Sequence, residues 1–173
     1  MKTKVQKTVI SAMFAALACV ATMVIKIPVP ATNGYIHIGD CIVLISGWML
    51  GGVYGTLAAG IGSMLADVLL AYPLYAPGTF VIKALVALTA FVVYKLINTK
   101  TNKFLAYVIS AFVAEVVMVA GYFIYEALFL SYGIGAAASI PANLVQGAGG
   151  VVISVFVMGI IKDNKYINKI QGM

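Results

Sequence analysis

The chain has 173 residues, of which 63% are hydrophobic and 9% are charged, with a formal net charge of +6. So little charge excludes a water-soluble domain of this size and indicates an integral membrane protein. All eleven basic residues are lysines, and no basic stripe interleaved with aromatic residues is present, so the sequence does not predict nucleic-acid binding.

Turn residues and polar interruptions divide the chain into six hydrophobic segments, at residues 8–25, 40–51, 53–71, 78–97, 104–130 and 140–161. The first segment is long enough to cross a hydrocarbon core of about 30 Å, and we expect a retained helix rather than a signal peptide. The second is too short to cross at about 1.5 Å per residue, so the loop before it is expected to dip into the membrane under a cover of protein. The sequence predicts one all-α membrane domain over residues 1–173.

The lysines fix an expected orientation. Six spans place three lysine groups on one side of the membrane: Lys2, Lys4 and Lys7; Lys95, Lys100 and Lys103; Lys162, Lys165 and Lys169. The opposite side has only Lys26. The excess of lysine predicts that this side, with both termini, is cytoplasmic.

Ionisable and polar residues inside the spans collect in the outer half of the predicted membrane domain. Counting along each span gives similar outer depths to these residues: Asp67, Lys83, Tyr122, Glu126, Asn143 and Gln146, with Glu115 near the middle of the fifth span. Each ionisable residue costs at least about 2.5–3.5 kcal/mol at a helix centre, so each is a candidate for a function. An ion pathway would need such groups in the inner half as well, so the pattern favours a solute pocket open to the outside.

The outer loop "TNGYIHIGDCIVL" brings Asn33, Tyr35, His37 and Asp40 close together in the sequence. We expect a lid whose first three polar residues reach the pocket. Asp40, near the start of the second helix, is either a helix cap or a ligand contact. The single histidine, without a nearby Cys or second His, predicts neither a metal site nor a catalytic residue, and no enzyme activity is expected.

Several of these residues have a structural alternative. Asp67 and Lys83 either pair with each other or contact a ligand. Glu126 and Asn143 either tie loop ends or line the pocket, and Tyr75 in the third loop either anchors the membrane surface or closes over a ring. Glu115, Tyr122 and Glu126 are spaced 7 and 4 apart and share one helix face. Trp48, deeper in the second span, is either a packing residue or a stacking platform.

The segments "GYIHIGD", "GSMLADVL" and "YAPGTFVIK", within six helices, resemble the substrate-binding S components of energy-coupling factor (ECF) vitamin transporters. The resemblance is strongest to members for hydroxymethylpyrimidine, a thiamine precursor, or vitamin B6, and weaker to riboflavin-type members. It implies a multi-pass protein of a bacterial cell membrane that binds a vitamin from outside and then topples on docking to a transmembrane coupling subunit and two ATPases. In "SAMFAALA", Ala12 and Ala16 match the family's docking motif.

The chain has no G-x-x-x-x-G-K-[ST] loop, so ATP is expected to be used by the partners, and no cofactor is expected here. We expect Glu115 or Glu126 to accept paired donors of the heterocycle. Tyr35, Tyr75 and Tyr122 would stack on the ring, and His37, Asn143 and Gln146 would bond its hydroxymethyl groups. Two alternatives stay open: riboflavin as the ligand, and a freestanding proton-coupled carrier.

Overall fold

The computed structural model describes residues 2–29, 34–161 and 164. It contains six α-helices: α1 (Lys2–Val24), α2 (Asp40–Leu50), α3 (Gly52–Leu69), α4 (Ala76–Ile97), α5 (Lys103–Leu128) and α6 (Ile140–Ile161). A two-stranded hairpin, β1 (Ile27–Val29) and β2 (Gly34–Ile36), precedes α2, and a 3-10 helix, Gly133–Ser139, precedes α6. The predicted spans agree with these helices to within two residues, except that α1 begins at Lys2 instead of residue 8.

The short α2 is the centre of the helix bundle. Nine of its eleven residues are buried, and α1, α3, α4 and α6 pack around it. At about 1.5 Å per residue α2 is roughly 16 Å long, whereas the other five helices are long and apolar enough to cross a membrane. The predicted membrane fold with a short second helix is therefore confirmed, and the orientation of the termini stays a prediction.

The loop before α2 is not irregular, as the all-α prediction implied, but contains the β1–β2 hairpin. Its strands are antiparallel, with Ile27 opposite Ile36 and Val29 opposite Gly34. Three-residue strands, one of them containing Pro28, give too short an alternation of apolar and polar residues to be recognised in the sequence. The hairpin brings the segment around Tyr35 and His37 over one end of the bundle.

Glycines let the central helices approach backbone to backbone. A Cβ atom at Gly47 of α2 would overlap the carbonyl oxygen of Ala87 in α4, and one at Gly62 of α3 would overlap that of Ala15 in α1. Without a hydrophobic driving force between helices in lipid, such close van der Waals packing is a main source of helix association. The position of α2 therefore depends on small residues at its contacts.

Replacing Gly47 with Ala should destabilise the protein by about 1–3 kcal/mol, because the added methyl group forces α2 and α4 apart. The matched control is Gly149→Ala in α6, where the added methyl group meets no atom within 4 Å. The thermal unfolding midpoint of both variants in detergent measures the effect. A Gly47→Ala midpoint equal to that of the control would contradict this account of the packing.

Candidate binding site

A narrow cavity lies at the hairpin end of the bundle. Its empty volume is about 430 Å³, including space open to the outside, and the centre of a water molecule can reach about 30 Å³ of it. These predicted residues line it: Tyr35, His37, Asp67, Tyr75, Tyr122, Glu126, Asn143 and Gln146. The structure thus brings together, from β2, α3, α5, α6 and the start of α4, most of the side chains singled out by depth.

Two carboxylates in the cavity lining each accept a hydrogen bond from a tyrosine. The Tyr35 hydroxyl donates a hydrogen bond to Asp67 Oδ1 at 2.5 Å, and the Tyr75 hydroxyl donates to Glu126 Oε1 at 3.1 Å. The second oxygens, Asp67 Oδ2 and Glu126 Oε2, are buried and have no hydrogen-bond partner among the described residues. Each carboxylate is therefore held by a tyrosine through one oxygen. The hydroxyls of Thr79 and Ser139 lie beside Asp67 and Glu126, respectively, as weaker partners, and each carboxylate keeps capacity to accept from a ligand.

Tyr35 joins the hairpin to the helices. Its ring packs against Tyr72, with centroids 4.8 Å apart, and the Lys26 ammonium lies 5.8 Å from the centroid of the Tyr35 ring. Burial, and then the negative charge of Asp67, raises the pKa of the Tyr35 hydroxyl. Tyr35 accordingly stays protonated and donates to Asp67 across the physiological pH range.

His37 follows β2 and is 6% exposed. Its ring Nδ1 accepts a hydrogen bond from the Gly39 backbone N–H at 3.0 Å, which assigns the proton of the neutral ring to Nε2. Burial, and then the positive charge of Lys83, lowers the pKa of His37 to about 4. His37 therefore lines the cavity as a neutral imidazole with one N–H donor.

From the cavity wall inward, a chain of polar contacts connects four elements. The His37 backbone N–H donates to Gln146 Oε1 at 3.0 Å, and Gln146 Nε2 donates to Asp40 Oδ2 at 2.8 Å. The ammonium of Lys83 donates to Asp40 Oδ1 and forms an ion pair in which both side chains are fully buried. We call these four residues, His37, Gln146, Asp40 and Lys83, the polar layer.

The contacts in the polar layer distinguish between the alternatives that the sequence left open for Lys83 and for Asp40. Lys83 pairs with Asp40 of α2 and not with Asp67, so the proposed Asp67–Lys83 bridge is not found. Asp40 is not the cap residue of α2, since Gly39 occupies that position, but it lies in the first turn, where the helix dipole favours a negative charge as expected. Neither Asp40 nor Lys83 lines the cavity, and both lie beneath its wall.

Other predicted residues lie away from the cavity. Glu115 is buried beside Gly147 and Gly150 of α6, at the edge of an apolar groove between α5 and α6. Trp48 packs against Tyr107 with ring centroids 4.9 Å apart and donates from Nε1 to Ser110, which fits the packing interpretation. Asn33 lies outside the described residues.

The two alanines of the docking motif lie away from the cavity, and two hydroxyl residues that the sequence did not indicate line it. Ala12 and Ala16 are exposed on α1, whereas Ala18 is buried against the bundle. Thr79 and Ser139 line the cavity near Asp67 and Glu126, respectively. A single hydroxyl residue in an apolar segment gives little indication of a binding role. Thr79 could have been found only from its position one helical turn before Lys83.

Comparison with known proteins identifies the family. The family model described as "ECF-type riboflavin transporter, S component" matches residues 2–163. The chain belongs to this family of S components. It is therefore a multi-pass membrane protein and a substrate-binding subunit of ECF transporters, and the family is one of transporters, not enzymes.

One further protein and two solved structures are also similar to this chain. An uncharacterised protein in the gap 3′ region of Pyrococcus woesei is 33% identical over 135 residues, covering 78% of this chain and 86% of that protein. A structure reported for the S component of a bacterial ECF transporter has a TM-score of 0.67 at 21% identity, covering 92% and 97% of the two chains. The S component for biotin from an ECF-type ABC transporter gives 0.58 at 18% identity, covering 93% and 91%. These two structures share the fold.

Replacing Lys83 with Met should destabilise this S component by about 3–5 kcal/mol, because the Asp40 carboxylate loses its counter-ion inside the protein. Adding Asp40→Asn should recover part of the loss, since the amide carries no charge. Lys100→Met, at an exposed lysine, is the control and should have little effect. Thermal unfolding midpoints in detergent report all three. Equal losses in the single and double variants would show that the pair is not coupled.

The pKa of His37 is about 4 in the folded protein and has an ordinary value of 6.5. Between these two values the unfolded chain binds a proton at His37, whereas the folded protein does not. The stability contributed by neutral His37 should be complete above pH 6.5 and fall as the pH is lowered toward 4. Between pH 6.5 and 5 the loss should reach up to about 2 kcal/mol. Comparing unfolding midpoints of wild type and His37→Gln over this range isolates the effect. Parallel pH curves would contradict it.

Proposed function

We propose that this S component captures a small aromatic nitrogen heterocycle, neutral or cationic and rich in N–H donors, from outside the cell. Hydroxymethylpyrimidine and pyridoxine-like molecules fit this description. The observation that supports the proposal most is a pair of buried carboxylate oxygens in one narrow cavity, Asp67 Oδ2 and Glu126 Oε2, for which the described part of the chain provides no close hydrogen-bond donor. A buried acceptor without a donor is costly, and a ligand that supplies donors removes that cost.

The proposed contacts follow from the donors and acceptors in the cavity. Asp67 and Glu126 would accept from an exocyclic amine, a ring N–H or a protonated ring nitrogen, as charge-assisted hydrogen bonds. Tyr75 and Tyr122 would pack on the ring faces. The Nε2–H of His37 and the amide of Asn143 would bond hydroxymethyl groups. Asp67 thus takes the role that the sequence suggested for Glu115, which lies outside this cavity.

The charge of the cavity also bears on which ligands are disfavoured. Its lining includes two carboxylates and no lysine, since Lys83 is paired with Asp40 below the wall. An anionic ligand such as folate would bring like charges together in a site of low dielectric constant. Neutral or cationic heterocycles avoid this repulsion.

Riboflavin is the second candidate, and the description of the matching family supports it. The cavity has room for only about two water molecules, so the hairpin would have to move outward for any of these ligands, and furthest for the three-ring flavin. Its ring carbonyls are acceptors, so they would repel the carboxylate oxygens. Its ribityl hydroxyls could donate to those oxygens.

Delivery into the cell is proposed to depend on partners. The exposed Ala12 and Ala16 on α1 would let helices of a coupling subunit approach closely, and two ATPases would supply the energy. Uptake that is lost when the ATPases are deleted would support this scheme. Uptake that continues without them would favour the freestanding carrier.

A binding panel tests the substrate proposal. Purified protein should bind hydroxymethylpyrimidine or a B6 vitamer, and Asp67→Asn or Glu126→Gln should each raise the Kd about 10- to 100-fold by removing a charge-assisted hydrogen bond. The matched control is Glu115→Gln, which removes a buried carboxylate outside the cavity and should leave the Kd unchanged. Isothermal titration calorimetry provides the measurement. Retention of riboflavin alone would select the second candidate, and no binding of any heterocycle would refute both.

A further inference from the structure

A second cavity lies at the opposite end of the bundle, where α2 ends at Leu50 while α1, α4 and α5 continue. The centre of a water molecule can reach about 600 Å³ of it. Its lining includes four aromatic residues, Trp48, Tyr54, Phe91 and Tyr94, and three lysines, Lys7, Lys95 and Lys103. We call it the lysine cavity. The short α2 creates it, because no helix fills the space below Leu50.

The lysines come from three different helices and converge on this one space. Among the described residues none of them has a carboxylate within ion-pair distance, and the pair that does form is Lys83–Asp40. The Lys7 ammonium lies 5.7 Å from the centroid of the Tyr54 ring, and the Lys95 ammonium 5.6 Å from that of Phe91. The positive-inside rule accounts for the side of the membrane on which they lie, but not for their convergence on an aromatic cavity.

The beginning of α3 adds further positive potential. Gly51, with φ of 64°, precedes α3, and no side chain accepts a hydrogen bond from its first turn. The leading N–H groups of a helix have no acceptor within the helix, and they favour an anion. By contrast, the first turn of α5 is capped by the Asn102 side chain, which accepts from the Leu105 N–H at 2.8 Å. The uncapped turn opens onto the lysine cavity through Gly52, Val53 and Tyr54.

We propose that the lysine cavity binds an anionic phospholipid of the inner leaflet, with the phosphate held by Lys7, Lys95 and Lys103 and the glycerol and upper acyl groups on the aromatic side chains. The predicted orientation puts this end of the bundle at the cytoplasmic surface, where anionic lipids and juxtamembrane lysines attract each other. An aromatic wall beside lysines that have no ion-pair partner within residues 2–29 and 34–161 complements a molecule that is charged at one end and apolar at the other. The proposal does not depend on which vitamin is bound.

Titration of the detergent-purified S component with three probes tests the proposal: phosphatidylglycerol, phosphatidylcholine and glycerol 3-phosphate. Phosphatidylglycerol should raise the thermal unfolding midpoint and remain bound in native mass spectrometry, whereas the other two should not. The triple variant Lys7→Gln/Lys95→Gln/Lys103→Gln should bind it about 100-fold more weakly, from roughly fivefold per lysine. Lys100→Gln, an exposed lysine that does not line the cavity, should bind like wild type.

Each other outcome overturns the proposal. Equal binding of phosphatidylglycerol by wild type and the triple variant removes the lysines from the site, and equal binding of phosphatidylcholine removes the role of charge. Stabilisation by glycerol 3-phosphate alone would make this a site for a soluble anion. If the triple variant bound phosphatidylglycerol normally but no longer assembled with the ATPase module, the lysines would contact a partner protein instead of a lipid. If the triple variant cannot be purified, Lys95→Gln alone should show the fivefold loss, and wild-type affinity there counts against the proposal.

Discussion

The ion pair between Asp40 and Lys83 is the interaction on which the arrangement of this protein depends. Both side chains are fully buried within a membrane bundle, where a charge without a partner costs several kcal/mol. Because Asp40 begins α2 and Lys83 lies within α4, the pair sets the height of α2 against the longer helix. Gln146 then connects α6 to the same carboxylate, and the His37 backbone connects the hairpin. One pairing requirement thus positions four elements.

The polar layer also separates two chemical environments. Above it, Asp67 and Glu126 each keep an oxygen available to a ligand. Within the layer, both oxygens of Asp40 have partners, so it offers a solute little to bind. This division suits a subunit that binds a solute on one side and relies on partners to move it.

The sequence predicted the helices well because each is an apolar run, and all but α2 have the length that a membrane requires. Counting along the runs found five residues that line the narrow cavity: Asp67, Tyr122, Glu126, Asn143 and Gln146. Depth does not give the direction in which a side chain points around the bundle. Asp67 has a height along its helix similar to that of Lys83, yet the packing of α2 against α4 brings Asp40 to Lys83 instead. Glu115 shares a helix face with Tyr122, yet lies too far along α5 to line the cavity. The hairpin was missed because three-residue strands have almost no periodicity.

The short length of α2 gives the molecule an electrical polarity along the membrane normal. The space above it is lined by carboxylates and the space below it by lysines, so in the predicted orientation the protein is aligned with an inside-negative membrane potential. If the narrow cavity turned toward the cytoplasm, its carboxylates would carry negative charge against that field. A full crossing would cost about 2.3 kcal/mol per elementary charge and 100 mV. A cationic ligand compensates the carboxylates it binds. The loaded protein would then move through the field at a smaller energetic cost than the empty one.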